Sequence, residues 1–285
     1  MQIISNPKEI YKEIQIEKNK GKKIAFVPTM GALHLGHCSL LEKAKKIADI
    51  VVLSIFVNPL QFSNAEDLEK YPITLDADLE LAKSFGVDYV FTPTKESLYT
   101  SNIKEFRATK VLASSLAEGY CGASRPGHFD GVVTVVSILF NCINPDYAIF
   151  GEKDFQQVKV IQQMVNDLFY PVQIVVSPLI RDKDGLALSS RNLRLTNEQK
   201  EIALQIPKAV FTIQNAAIEG EKSCKVLYKL FDQIINDKAG LEIDYRTIVS
   251  EIDLEEEKEI TRNSRLLTAV YVGSIRLLDT IPLYK

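Results

Sequence analysis

The sequence predicts an α/β fold, a parallel sheet with helices on both faces, followed by a smaller α+β domain toward the C-terminal end. Three observations carry this. Short apolar runs alternate with helical patterns through the first two-thirds of the chain. One run, IVVLSIFV at 50–57, is apolar with little interruption, as in a strand buried on both faces. After residue 183 the order changes to helices, then strands with no helix between them. The expected domains are therefore 1–183 and 184–285.

Taken in order, Ile24–Val27 is a short β-prone run. Leu40, Leu41, Ala44, Ile47 and Ala48 then recur at helical spacing behind Gly36. The run at 50–57 is the next strand, LDADLELAKSF at 75–85 a helix, and DYVF at 88–91 a strand. GVVTVVSILFNCI at 131–143 has the β-branched content of a strand and the length of a helix; a buried helix from near Gly131 is expected. YAIF at 147–150 and VQIVVS at 172–177 are strands. Between them, 153–169 is a helix with Phe155, Val158, Ile161, Val165 and Leu168 on one face. In the C-terminal part, 197–219 and 222–238 are helices, the first kinked or turned at Pro207. LEIDYRTIVSE, LLTAVYVGS and IRLLDTI close the chain as strands, and the acidic run at 251–260 is a solvated loop or helix face.

Composition narrows the function. The 285 residues are 46% hydrophobic and 25% charged, with a net charge of −3, so the broad positive field of a nucleic-acid binder is missing. Cys38, Cys121, Cys142 and Cys224 show no CxxC spacing and read as reduced thiols of a cytoplasmic protein. Cys38 touches a motif, yet no histidine-assisted nucleophile pattern surrounds it. MQIISNPKEIYKEIQ has no secretory apolar core, and the run at 131–143 is too short to span a bilayer.

Ligands of an open parallel sheet bind outside the carboxyl ends of its strands, so the segments after each strand are the candidates. After the first comes PTMGALHLGH, holding two of the three histidines, His34 and His37. Both sit at the start of a helix, where free N–H groups and the helix dipole attract phosphate. A metal would need a third ligand, such as His128 or a carboxylate, and a core histidine has no need of the glycines. After 50–57 come Asn58 and Gln61, amides that either cap a turn or orient a polar substrate. After 147–150 come Gly151 and Lys153, the latter a point charge for phosphates. Asp154 either caps the helix or meets ribose hydroxyls, and Gln157 lies one turn on. After 172–177, Ser189, Ser190 and Arg191 form an anion clamp ahead of the capping-box sequence that starts at Thr196. The turn-rich segment 122–131, with Arg125 and His128, either overlies the site or simply precedes the helix.

Together, PTMGALHLGH, FVNPLQF, SRPGHF, GEKDFQQ, LALSSRN and the C-terminal RLLD resemble the pantoate–β-alanine ligase family, part of the HxGH nucleotidyltransferase superfamily. The segments keep the family's order and spacing across nearly the whole chain. The resemblance implies a Rossmann-like, doubly wound N-terminal domain, a C-terminal lid and a homodimer. It also implies ATP- and Mg²⁺-dependent condensation of pantoate with β-alanine, through a pantoyl adenylate, to pantothenate, AMP and pyrophosphate.

Site residues follow from the same likeness. Met30, Gly31, Ala32, Leu33, His34, Leu35, Gly36 and His37 match one ATP segment; Gly151, Glu152, Lys153 and Asp154 match a second. Ile180 matches an adenine contact, and Leu188, Ser189, Ser190 and Arg191 match the loop over the phosphates. His34, His37, Lys153 and Arg191 are the expected catalytic donors. Gln61 and Gln157 match pantoate positions, Gln61 also lying near β-alanine; Asn58 joins them as an expected substrate contact from its strand-end place, and Asp76 or Asp78 is the candidate Mg²⁺ ligand. Leu188, Leu35 and Thr280 depart from the common family residues (methionine, glutamate and asparagine) without touching a chemical role. Another HxGH nucleotidyltransferase, and a nucleotide-binding module without turnover, are the competing readings.

Overall fold

Six parallel strands run in the order β1-β4-β3-β2-β5-β6, and three antiparallel strands form a second sheet, β7-β8-β9. The computed structural model describes residues 1–99 and 109–284. Contacts divide it into two units, Met1–Gly151 with Gln157–Ser177, and Glu152–Gln156 with Pro178–Lys285.

In the first unit, β1 (Gln2–Ile4) and α1 (Pro7–Asn19) precede β2 (Ile24–Thr29), α2 (Leu35–Ile47) and β3 (Ile50–Ile55). Then come α3 (Ala65–Glu69), α4 (Leu75–Ser84), β4 (Tyr89–Phe91) and α5 (Lys95–Leu98). After α6 (Cys121–Ser124) come α7 (His128–Ile143), β5 (Tyr147–Gly151), α8 (Phe155–Asp167) and β6 (Gln173–Ser177). The core strands are apolar on both faces because both are covered. Ala25, Val27, Val51 and Leu53 pack with Leu41 and Ala44 of α2 and Ala82 of α4. On the other side α7 packs against β2 and α1.

The apolar run at 131–143 is a helix, as expected, and it starts earlier, at His128. Its residues are buried nearly all round, which is why its periodicity was weak. Expected helix 153–169 begins with a 3-10 turn over Glu152–Asp154 and becomes α-helical at Phe155. Leu168, placed on its buried face, lies exposed beyond the helix end. β1 and α1 have no counterpart among the expected elements, although Asn6 caps α1 and Pro7 opens it.

In the second unit, α9 (Asn197–Ala203), α10 (Gln205–Ile218) and α11 (Cys224–Asn236) precede β7 (Leu241–Ser250), β8 (Ser264–Val272) and β9 (Ile275–Pro282). The expected 197–219 helix breaks at Leu204. Pro207 lies in the first turn of α10, where its missing N–H would have had no helical partner. Val210, Ile213, Phe231 and Ile235 of α10 and α11 pack on Leu266, Val270 and Val272 of β8. Residues 152–156 and 178–183, within the expected 1–183 domain, group with the second unit. Among the described residues no helix is long and apolar enough to cross a membrane.

Candidate active site

The strand order reverses between β2 and β5, neighbours whose chain continuations run to opposite sides of the sheet. Such a switch point opens a crevice at the carboxyl ends of the two strands. Thr29 ends β2 there, and its hydroxyl donates to the Ser54 carbonyl (2.7 Å) while accepting from the Gly31 N–H (3.2 Å). Gly31 and Ala32 are both left-handed, with φ of 82° and 50°. For alanine that conformation costs roughly 1–2 kcal/mol. The carboxylate of Asp78 offsets the strain by accepting from the Ala32 N–H (2.9 Å) and the Leu33 N–H (2.8 Å). Asp78 is 2% exposed, and a Cβ on Gly31 would stand 2.9 Å from its Oδ2.

This turn delivers His34 to the N-cap of α2. The Gly36 N–H donates to His34 Nδ1 (3.1 Å), and the His34 N–H donates to His37 Nδ1 (3.2 Å), a capping box made of two imidazoles. A main-chain N–H can only donate, so both Nδ1 atoms are acceptors and each neutral ring carries its proton on Nε2. Two Nε2–H donors are thus set at a helix start, on rings 4.1 Å apart. Leu35, between them in sequence, is 68% exposed.

After β3, Asn58 caps a 3-10 turn over Pro59–Gln61. Its Oδ1 accepts from the Leu60 N–H (3.2 Å) and the Tyr99 hydroxyl (2.7 Å). Its Nδ2 donates to the Gly131 carbonyl (3.1 Å) and to Gln61 Oε1 (3.0 Å). Burial pushes the Tyr99 phenol well up, which keeps it a donor. Gly131 is required because a Cβ there would meet the Leu60 carbonyl oxygen at 2.3 Å. The Gln61 carbonyl accepts from Arg125 Nη2 (3.1 Å) and His128 Nδ1 (2.7 Å). Arg125 Nη1 faces His128 Nε2 at 3.2 Å; since an arginine only donates, His128 is the neutral Nδ1–H tautomer.

In the second unit, the 3-10 turn Glu152–Asp154 holds Lys153, whose Nζ lies 3.2 Å from Asp154 Oδ2. Glu152 accepts from the Leu179 N–H (3.3 Å) and pairs with Arg265 of β8. Arg265 is 4% exposed, also binds Glu251 (2.7 Å), and stacks over the Phe155 ring at 4.3 Å. Ile180 and Leu188 face each other across a hairpin, joined by the Leu188 N–H to the Ile180 carbonyl (3.0 Å). A bidentate pair, Arg181 to Asp279 at 2.6 and 2.7 Å, braces that hairpin on β9. Ser189 accepts from the Arg191 N–H (3.3 Å) and so caps its own 3-10 turn, Ser190–Arg194; Thr196 caps α9 separately.

The expected residues thus fall in two sets. Met30 to His37, Asn58, Gln61 and Gln157 belong to the first unit; Glu152 to Asp154, Ile180 and Leu188 to Arg191 to the second; Gly151 ends β5. Asp76 is exposed in the first turn of α4, whereas Asp78, two residues on, is buried and holds the 31–33 turn; Thr74 also donates to it (3.2 Å). Among the described residues no three His, Cys, Asp or Glu side chains cluster as metal ligands. Burial raises the Cys38 thiol pKa, which disfavours the thiolate a nucleophile needs. The turn-holding role of Asp78, expected only as a Mg²⁺ ligand, and the supports Tyr99 and Arg265 carry no residue-type signature. The signal for Arg265 was a lone cation inside an apolar strand run, SRLLTAVYV.

The family model described as pantoate-beta-alanine ligase matches residues 2–282. A pantothenate synthetase of Pelobacter propionicus is 45% identical over 279 residues, covering 98% of this chain and 97% of its own. One from Sulfurihydrogenibium is 44% identical over 282 residues, covering 99% of each. The crystal structure of pantothenate synthetase from Thermus thermophilus superposes with a TM-score of 0.93 at 37% identity over 100% of both chains. That of the Francisella tularensis pantoate-beta-alanine ligase, complexed with beta-gamma ATP and beta-alanine, gives 0.80 at 34% identity, covering 99% of this chain and 98% of its own.

Proposed function

The chain belongs to the pantoate–β-alanine ligase family, and on that premise we propose a division of labour among its residues. The protein is a ligase that joins pantoate to β-alanine at the expense of ATP. A carboxylate does not condense with an amine at neutral pH, because oxide is a poor leaving group. In the proposed course the pantoate carboxylate attacks the α-phosphorus and pyrophosphate leaves. The β-alanine amine then attacks the acyl carbon, AMP leaves, and the amine's proton passes to solvent.

The observation that carries the reading is the pair of Nε2–H donors of His34 and His37 at the start of α2. They meet the charge that grows on phosphate oxygens, and Lys153 and Arg191 of the second unit serve the same purpose. Met30 to His37, Gly151 to Asp154, Ile180 and Leu188 to Arg191 serve ATP; Gln61 and Gln157 serve pantoate. Mg²⁺ belongs to the same proposal. Asp78 is already engaged by Ala32, Leu33 and Thr74, so phosphate oxygens and water would supply most ligands, with Asp76 the exposed carboxylate that could join them. When bound, the ion neutralises phosphate charge. A homodimer in the cytoplasm completes the proposal; the free cysteines fit a reducing compartment.

The test is product analysis with ATP, pantoate and β-alanine. Pantothenate and AMP formed in equal amounts, with none when pantoate is omitted, is the expected result. Turnover of CTP or a phosphate ester in place of pantoate, or ATP binding without turnover, contradicts it.

A further inference from the structure

We propose that Asp279 is a positioning residue for ATP: through its two bonds to Arg181 it fixes the hairpin that presents Ser189, Ser190 and Arg191 to the phosphates. The inference rests on the reading that this loop serves ATP, and it adds what holds the loop in place. Asp279 ends the RLLD segment and is not among the expected ligand contacts. It lies on β9 and is 2% exposed. A carboxylate so far from water is stable only when paired, and a guanidinium fork is the partner that fixes direction as well as distance.

Arg181 joins three elements. Its Nη1 and Nη2 donate to the two Asp279 oxygens at 2.6 and 2.7 Å. Nη1 also donates to the Gly185 carbonyl (3.0 Å) in the hairpin turn, and the guanidinium stacks over the Phe211 ring of α10 at 4.8 Å. From there the path to the clamp is short. Arg181 bridges to Ala187, whose carbonyl accepts from Asn192 Nδ2 (3.0 Å). The Asn192 N–H donates in turn to the Ser189 carbonyl (3.0 Å), closing the turn that carries Arg191. β9 packs against the Glu152–Asp154 turn as well. Burial disfavours the ionised form of Asp279, and the charges of Arg181 and Lys153 favour it. One carboxylate thus stands behind both sets of phosphate donors in this unit.

The test is a double-mutant cycle read in kcat/KM for ATP. Asp279→Asn keeps the shape and gives up the match to the fork. Its kcat/KM for ATP should fall roughly tenfold to a hundredfold, the loss that follows a donor displaced by about 1 Å. The pantoate KM at saturating ATP should stay within about twofold, a split that general destabilisation would not produce. Arg191→Ala should lose as much or more. Because Asp279 acts through the clamp, the double variant should fall no more than about twofold below Arg191→Ala alone. Arg181→Lys keeps the charge and loses the fork, so it should share the ATP defect, and parent values there overturn the bidentate brace. Losses that multiply in the double variant overturn the proposal, as does a parent kcat/KM for ATP in folded Asp279→Asn. If Asp279→Asn does not fold, Arg181→Met with Asp279→Leu removes the brace without stranding a buried charge and must show the same defect, again without multiplication by Arg191→Ala. Arg191→Ala with the parent kcat/KM for ATP defeats the reading that the loop serves ATP, and the proposal with it.

Discussion

The imidazoles of His34 and His37 stand 4.1 Å apart, and each turns its Nδ1 onto a main-chain N–H at the start of α2. The same contacts that cap the helix thus set the tautomer of both rings. Capping uses Nδ1, and the proposed phosphate contact uses the opposite nitrogen of the same ring, so the two can be separated by substitution.

His34→Asn keeps an oxygen acceptor for the Gly36 N–H and removes the Nε2–H donor. Asparagine is among the best N-caps, so thermal stability should stay within roughly 0.5 kcal/mol of the parent. The rate at saturating ATP should fall by ~10²–10³, the usual loss for one transition-state donor. His37→Ala should lose a similar factor in rate. Near-parent turnover in either folded variant removes that histidine from the chemistry.

Asp78 accepts from Ala32 and Leu33 across 46 and 45 residues of sequence, and it holds a turn that the left-handed Ala32 strains. Asp78→Asn turns an NH₂ toward one of those N–H groups and should cost ~1–3 kcal/mol in urea unfolding. The ATP KM should rise with it, and added Mg²⁺ should not restore it. Restoration by Mg²⁺ would show that the carboxylate acts on metal instead.

Arg265 pairs with Glu152, the residue before Lys153, and with Glu251, from a position almost out of water. Arg265→Met strands both carboxylates. Because each keeps some solvent contact, the loss should be ~1–3 kcal/mol, below that of a fully buried pair. Arg265→Met with Glu152→Gln should recover part of the stability, a coupling that a double-mutant cycle measures directly. The single variant should also raise the ATP KM, since the turn carrying Lys153 loses its anchor.

Much of the fold was legible because burial dictates composition. β2, β3 and β5 are covered on both faces and read as apolar runs, and β7 to β9 stand out by the lack of helices between them. α1 escaped notice because only Ile10, Ile14 and Glu17 of its thirteen residues are buried, leaving charge to dominate the pattern. The signal that was there lay in Asn6 and Pro7, a cap followed by a favoured first residue. In the candidate site, the strand ends nominate His34, His37, Gln61 and Lys153 by position alone, and their roles belong to the proposal. Their supports are not so marked, because Asp78, Tyr99, Gly131 and Arg265 act across long stretches of chain through a few hydrogen bonds each. Spacing along a helix or strand records neighbours within an element; it does not record a carboxylate that clamps a turn from another element.

The measurement that tests the central claim most directly is ATP–pyrophosphate exchange with pantoate present and β-alanine absent. Formation of a pantoyl adenylate before the amine arrives predicts that labelled pyrophosphate enters ATP only when pantoate is added, and that His37→Ala and Lys153→Ala slow the exchange by ~10²–10³. Exchange that proceeds equally without pantoate, or that requires β-alanine, would contradict it.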